Sequence, residues 1–314
     1  MLADVLALKD PPEHTRLRSL LGPAFLPRVI ERLRPRVISI VDSVLDGLED
    51  QDEADIAADV GPVVALSVMS ELLDVGLEGA ELFMEQTPRL LRYAEYGPTP
   101  QDYQVAAEAA AELTRFLTPI IDKRRRDPGD DFLSALVTAE GLSTDDILAT
   151  CILMLTAGGM ATGALIANSA LALLRDPAQI PALLADPERA VDELIRMEGT
   201  SKRLIRIAVA DHDLGGHRIT KGQPVMVNVL AANRDPRRAP DADRLDLSRE
   251  PLAHLTFGNG PHYCLGAPIA RLETAETLVR LFTRFPRLSL TSREPVWLSS
   301  TSFRWLQELP VRLR

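Results

Sequence analysis

The chain has 314 residues, of which 46% are hydrophobic, 25% charged and 4% aromatic. That composition excludes a disordered chain and supplies enough apolar material for a large core. A net charge of −10, from 45 acidic and 35 basic side chains, runs against the balance of a nucleic-acid-binding protein. The basic side chains are nearly all arginine, the lysines being Lys9, Lys123, Lys202 and Lys221. Cys151 and Cys264 stand far apart, which excludes a disulfide scaffold and points to a reducing compartment, the cytoplasm. The opening MLADVLALKDPPEHTRLR is too short in its apolar part, and too soon charged, for a secretory signal.

In chain order, Pro11–Pro12 before EHTRLRSLLGPAF predicts a helix with proline at its start. Apolar residues at Val29, Ile30, Leu33, Val37, Ile40, Val41, Val44 and Leu45 predict one helix from Leu26 to Leu48. Ile56 to Leu73 and Leu77 to Tyr93 read as further helices. Pro98–Thr99–Pro100 interrupts the pattern, Asp102 to Arg126 resumes it, and Asp127–Pro128–Gly129 is a turn. Ser143 is a good N-cap with Asp146 three residues on, and the helix it opens can run to Leu174, where Asp176–Pro177 stops it.

From Ile147 to Leu174 this helix carries no formal charge, a length that also suits a membrane span. Its flanks, Asp145–Asp146 and Arg175–Asp176, hold no basic anchor cluster, and its interior holds Gly158, Gly159, Gly163 and Asn168. The expectation is therefore a buried central helix and no membrane. A helix follows from Pro187 to Met197, then strands at Leu204–Val209 and Gln223–Val229 around a turn at Gly215–Gly216. Residues 234–246, rich in Pro, Asp and Arg, read as a long loop. A last helix, Ala267 to Phe285, leads to short C-terminal strands.

The segment that carries chemistry is His254-Leu-Thr-Phe257-Gly258-Asn-Gly260-Pro-His262-Tyr-Cys264-Leu-Gly266-Ala-Pro-Ile-Ala-Arg271. Its glycines permit a tight loop, and the cysteine falls just before a helix. Free backbone N–H groups and the positive end of the dipole there lower a thiol pKa and stabilise a thiolate. Phe257 can pack beside the sulfur or against a flat ligand, and His262 adds a donor. Cys151, on the apolar central helix, reads as inert core.

Phe257, Gly258, Gly260, His262, Cys264 and Gly266 match every fixed position of F-G-x-G-x-H-x-C-x-G, so the segment resembles the haem-binding signature of the cytochrome P450 family. Glu193-Leu-Ile-Arg196 resembles the family's E-x-x-R helix. Asn233-Arg-Asp-Pro236 and Pro240-Asp-Ala-Asp-Arg244 resemble the loop completing a Glu–Arg–Arg cluster, with Arg244 as third member. Asp10-Pro-Pro-Glu-His14-Thr-Arg-Leu-Arg18 resembles the start of the family's C helix.

The resemblance implies a mainly α fold with small β-sheets, as one haem domain over residues 1–314. It implies haem b, with Cys264 thiolate as the iron ligand. His14, Arg18, Arg206 and His254 become partners of the haem propionates, and Glu193, Arg196 and Arg244 a buried structural cluster.

Two departures stand out. The chain begins almost at the C helix, without the family's usual N-terminal helices and sheet portion. An open pocket, or one closed by a partner chain, is therefore expected. The central helix reads Ala157-Gly158-Gly159-Met160-Ala161-Thr162 where the family pattern is A-G-x-(acid)-Thr. Met160 and Ala161 replace the acid and the alcohol, and neither relays protons. Thr162 is displaced by about 100° around the helix. The small residues are expected to let the helix backbone approach the distal haem face.

The function these features imply is that of a haem-thiolate oxidoreductase of bacterial specialised metabolism. It is monooxygenase-like, works on a small or carrier-bound substrate, and takes electrons from a ferredoxin and its reductase. Arg16, Arg28, Arg32, Arg34, Arg36 and Arg271 read either as a basic docking face for that donor or as ordinary helix surface. Alternatives are non-monooxygenase haem chemistry (peroxide use, nitric oxide reduction, rearrangement) or an auxiliary partner of another enzyme.

Overall fold

The computed structural model describes residues 5–95, 97–129 and 131–314. Residues 1–4, at the head of the MLADVLALKDPPEHTRLR segment read above, lie outside them. The helices are α1 (Glu13–Leu21), α2 (Pro27–Glu31), α3 (Arg34–Asp46), α4 (Gly61–Leu73), α5 (Gly76–Leu90), α6 (Pro100–Arg126), α7 (Phe132–Thr138) and α8 (Thr144–Leu153). They continue with α9 (Met160–Arg175), α10 (Ile180–Ala185), α11 (Pro187–Glu198), α12 (Val229–Asn233) and α13 (Ala267–Arg284). The strands are β1 (Glu53–Asp55), β2 (Arg203–Ile207), β3 (His212–Leu214), β4 (His217–Ile219), β5 (Pro224–Asn228), β6 (Ser289–Leu290), β7 (Val296–Trp297), β8 (Leu306–Glu308) and β9 (Pro310–Arg312). The architecture is mainly α with small antiparallel sheets, as expected. β1, β9 and β6 form one sheet, β2 pairs with β5, β3 with β4, and β7 with β8.

Local chemistry sets most boundaries. Ser143 and Asp146 form a reciprocal capping box, with Asp146 N donating to Ser143 Oγ at 3.1 Å and Ser143 N to Asp146 Oδ2 at 3.0 Å. Thr99 and Asp102 do the same for α6, with Pro100 at its first position. The helix expected over 26–48 is broken at Arg32–Leu33. Pro35 near the start of α3 lacks the N–H that would bond back to Glu31, so the chain turns there. Three short helices, α7, α10 and α12, escaped the sequence pattern. Asp131 caps α7 by accepting from Ser134 N at 2.8 Å, and Asn228 caps α12 by accepting from Ala231 N at 3.1 Å. The turn at Gly215 and Gly216, both at positive φ (56° and 81°), is present as expected, but it closes an additional hairpin, β3–β4, inserted between the paired strands β2 and β5.

The central helix runs from Thr144 to Arg175, with a π-helical stretch over Met154–Gly159 between α8 and α9. It crosses α4 at close range. A Cβ on Gly163 would lie 2.7 Å from Pro62 Cα, so only glycine fits there. Ile56–Leu73 and Thr144–Arg175 are both long and apolar enough to cross a membrane, yet most of each is buried within the fold. One hydrophobic cluster extends from Leu6 to Leu313, through Val41, Leu66, Leu113, Ile166 and Leu278.

Glu273 of α13 is fully buried, and neither carboxyl oxygen has a hydrogen-bond partner among the described residues. Burial holds its pKa well above the ordinary 4.5, so the side chain is a neutral acid. Below that ordinary value the carboxyl is protonated both folded and unfolded, and pH has no effect through it. Above it the unfolded chain ionises while the folded chain does not, so stability falls as pH rises towards the folded pKa. Glu273→Gln is therefore expected to raise the melting temperature at pH 8, with the gain shrinking towards pH 5. Thermal unfolding at both pH values measures this, and a gain equal at both would contradict it.

Candidate haem site

The loop before α13 is built around the backbone of Cys264. Its N–H donates to Phe257 O at 2.8 Å, Gly258 N donates to Leu255 O at 2.8 Å, and Tyr263 N to Gly260 O at 3.0 Å. Gly258 and Gly260 take φ of 75° and 76°, which the tight turn requires. The loop is anchored from outside by Asn233, whose Oδ1 accepts from Leu255 N at 2.7 Å.

The Cys264 sulfur faces the N–H groups of Gly266 and Ala267 at the start of α13. Burial nevertheless pushes the free thiol above its ordinary value, against those N–H groups, Arg18 and Arg271. The helix start acts in the expected direction, lowering this pKa, but desolvation dominates in the folded chain. A metal ion reverses the balance, because a coordinating thiol is deprotonated outright. Cys151 is different: it is fully buried in α8 and pushed up to about 12 by burial, as inert core should be. The Phe257 ring packs between His254 and Tyr263, at centroid distances of 5.7 and 6.3 Å. The Arg271 guanidinium lies 4.8 Å from its centroid, held by Asp192 at 2.7 Å.

Three chain segments bring cationic or donor side chains together beside this loop. The rings of His14 of α1 and His262 lie against each other at a tilt of 42°, with centroids 4.1 Å apart. Burial, then the nearby His14, Arg206 and Arg18, hold the His262 imidazole below its ordinary value. His14 is itself buried, and its Nε2 has no hydrogen-bond partner among the described residues. Arg18 and Arg206 face no carboxylate among the described residues in any ion pair. His254 stands apart from this group, its electrostatic neighbours being Asp192, Arg271, Arg196 and Glu193. Its Nδ1 is also buried without a partner. Unpaired buried donors beside a free sulfur fit a ligand carrying an anionic edge and a metal, as haem does.

On α11, Arg196 is 1% exposed. It donates to both oxygens of Glu193 at 2.7 Å, and to Asn233 O and Ala242 O at 2.6 and 2.5 Å. The third member of the cluster is Arg249, not Arg244. Arg249 Nε donates to Glu193 Oε1 at 3.2 Å, while the Arg244 side chain is exposed. Both arginines lie in the same polar loop, and sequence pattern alone carries no burial signal there.

On the central helix, Ala157 is exposed and Met160 and Ala161 half-buried, whereas Thr162 is buried and turned away from them. The small residues act differently from the expectation. A Cβ on Gly158 would lie 2.9 Å from Met69 Sδ, and one on Gly159 would strike Leu66. Both glycines let α4 pack closely, and the accessible face belongs to Ala157, Met160 and Ala161.

A cysteine at a helix start within a Gly-rich loop, unpaired histidines beside it and a charged cluster behind it define a haem-thiolate protein. The cytochrome P450 family model matches residues 187–306. The chain is 35% identical over 318 residues to 6-deoxyerythronolide B hydroxylase of Saccharopolyspora erythraea, covering 98% of this chain and 78% of that protein. It is 37% identical over 318 residues to cytochrome P450 monooxygenase PikC of Streptomyces venezuelae, covering 97% and 75%. Its fold superposes on P450BioI, solved in complex with an acyl carrier protein ligated to hexadec-9Z-enoic acid, with a TM-score of 0.94 and 32% identity over 99% of this chain and 82% of that one. The chain belongs to the cytochrome P450 family. It is a P450-type oxidoreductase whose cofactor is haem.

Proposed function

We propose that this chain is a haem-thiolate monooxygenase of bacterial specialised metabolism, cytoplasmic, acting on a small or carrier-bound substrate as a single haem domain. The observation that carries the reading is the free Cys264 sulfur at the start of α13, beside the unpaired His14 Nε2. In this reading Cys264 holds the iron, His14, Arg18, Arg206 and His262 form one group of propionate partners, and His254, which stands apart from them against Phe257 with its buried Nδ1 unpartnered among the described residues, is a separate propionate contact. Haem bound this way supplies an iron centre made electron-rich by thiolate, which favours O–O cleavage. P450BioI's complex with an acyl carrier protein supports the carrier-bound option.

Met160 and Ala161 line the accessible helix face and carry no titratable group, so the proton supply falls to substrate hydroxyls or ordered water. The absent acid–alcohol pair also favours a second reading, in which peroxide replaces oxygen. Measuring substrate oxidation with oxygen plus a ferredoxin system against peroxide alone separates the two. Oxygen-dependent product formation supports the monooxygenase, and product with peroxide only would replace it. For the electron donor, the surface narrows the candidates. Arg16, Arg34, Arg36 and Arg271 are engaged by Glu13 and Asp146, Glu31 and Glu276, Glu71, and Asp192 respectively. Arg28 and Arg32 are exposed and have no ion-pair partner among the described residues, so they are the proposed ferredoxin contacts. A partner chain covering the haem edge remains part of the proposal.

The distal assignment has its own test. Met160→Glu with Ala161→Thr is expected to change the coupling of electron flow to product, by restoring a relay or by displacing the substrate group that serves as one. Turnover, uncoupled peroxide and the ferric spin state all report protons and water on that side. A folded, haem-loaded double variant unchanged in all three would show that this face is turned away from the iron.

A further inference from the structure

A cavity of about 440 Å³ lies between β2, β5 and α12, and three cations line it: Lys202, Arg203 and Arg234. None of them has a carboxylate to itself. Arg203 donates from Nε to Thr301 O at 2.6 Å and from Nη1 to Met226 Sδ at 3.0 Å. A thioether is a weak acceptor, so this guanidinium has found no anionic partner, and its Nη2 donates to nothing among the described residues. Lys202 Nζ donates to Ser300 O at 2.6 Å and is in no ion pair among the described residues. Arg234 donates to Met197 O at 2.7 Å and lies 3.7 Å from Glu198, but Glu198 already accepts from Arg304 at 2.5 Å. The cavity therefore holds a surplus of positive charge on a chain whose net charge is −10.

The rest of the wall is largely apolar, from Met226, Leu230 and Ala231. Met226 is 42% exposed, so apolar surface is left there for a ligand to cover. Asn228 spends its Oδ1 on Ala231 N at 3.1 Å, which leaves its Nδ2 as a further donor.

The strand register separates this cavity from the haem site. Successive residues of a strand point to opposite faces of a sheet. Arg203 opposite Asn228, and Ile205 opposite Met226, lie on one face of the β2–β5 pair. Arg206, opposite Val225, lies on the other face, in the cationic group beside His262.

We propose that this cavity is a second ligand site, which takes a small organic carboxylate with an apolar body. The Arg203 guanidinium receives the carboxylate as a planar fork, Lys202 and Arg234 add charge, and Met226, Leu230 and Ala231 cover the apolar part. The volume falls within the range of small-molecule pockets.

The test titrates haem-loaded protein with 4-phenylbutyrate, followed by calorimetry and ligand-observed NMR. Two controls divide the ligand: 4-phenylbutanol keeps the body without the charge, and acetate keeps the charge without the body. Saturable binding of 4-phenylbutyrate is expected, with both controls at least about tenfold weaker. Arg203→Ala should weaken 4-phenylbutyrate about tenfold, and Arg203→Lys, which keeps the charge but not the fork, should fall between. Met226→Glu places a carboxylate against Arg203 and should abolish binding. It leaves the Arg203 bond to Thr301 O in place, so it decides the matter even if Arg203→Ala folds poorly. Saturating 4-phenylimidazole, a probe for the haem iron, should leave the affinity unchanged. No saturable binding, or equal affinity in wild type, Arg203→Ala and Met226→Glu, would overturn the site. Binding of 4-phenylbutanol as tight as that of 4-phenylbutyrate would reduce it to an apolar surface and overturn it too. Loss of 4-phenylbutyrate binding in the presence of the azole would place the anion in the haem pocket and overturn the second site.

Discussion

Cys264→Ser will remove the thiolate-type Soret band of the haem-loaded protein, while Cys151→Ser leaves it in place. The difference follows from position. Cys264 is half-buried, its sulfur turned to the N–H groups of Gly266 and Ala267, within reach of Arg18 and Arg271. Cys151 is enclosed by apolar neighbours of the central helix, which disfavour its thiolate. A hydroxyl at position 264 is a far poorer anionic ligand, so haem in that variant should be weakly held or carry another axial ligand. The stability of the protein should change little, because the loop is closed by the backbone N–H of residue 264 and not by its side chain. Absorbance spectra and haem content of the two variants, purified alike, decide the matter.

Glu193→Ala will leave little soluble, haem-loaded protein. Arg196 would lose both carboxylate bonds while remaining 1% exposed, and breaking a buried charged pair in this way costs roughly 3–5 kcal/mol. The loss also propagates. Arg196 holds Asn233 O, and Asn233 in turn holds Leu255 N at the foot of the Cys264 loop, so the haem ligand is positioned through this chain of bonds. Arg249→Ala should be destabilising in the same direction but less so, since Arg249 contributes one contact of 3.2 Å to Glu193 and backbone bonds at Asp241 and Pro240. Arg244→Ala should be close to neutral, because its side chain is exposed. Denaturant unfolding of the three variants orders them, and a destabilised Arg244→Ala beside an unaffected Arg249→Ala would reverse the assignment.

The contrast between Arg244 and Arg249 shows where sequence reading stops. Helix existence was legible wherever apolar periodicity coincided with a capping box, as at Ser143–Asp146, because both signals are local. The split of the helix at Arg32–Leu33 was encoded too, by Pro35, but the apolar repeat runs on through it and masks the break. The Cys264 loop was legible because glycines at defined offsets, a cysteine and a following helix are all short-range features. What was not legible depends on tertiary approach. Gly158 and Gly159 are as small as a distal-face role needs, yet their missing side chains point at Met69 and Leu66 of α4. The helix start favours a Cys264 thiolate, but the burial that opposes it is contributed by residues distant in sequence. The bonds that Ser300 and Thr301 donate to Glu95 have no sequence signature, since the partners lie about two hundred residues apart.

The central claim is that Cys264 presents a thiolate to haem iron, and the reduced carbon monoxide difference spectrum tests it most directly. The red-shifted Soret band given by thiolate ligation in wild type, and its absence in Cys264→Ser, is the predicted result. A wild-type band at the position given by a neutral ligand such as imidazole, in protein that is folded and fully haem-loaded, would contradict the account.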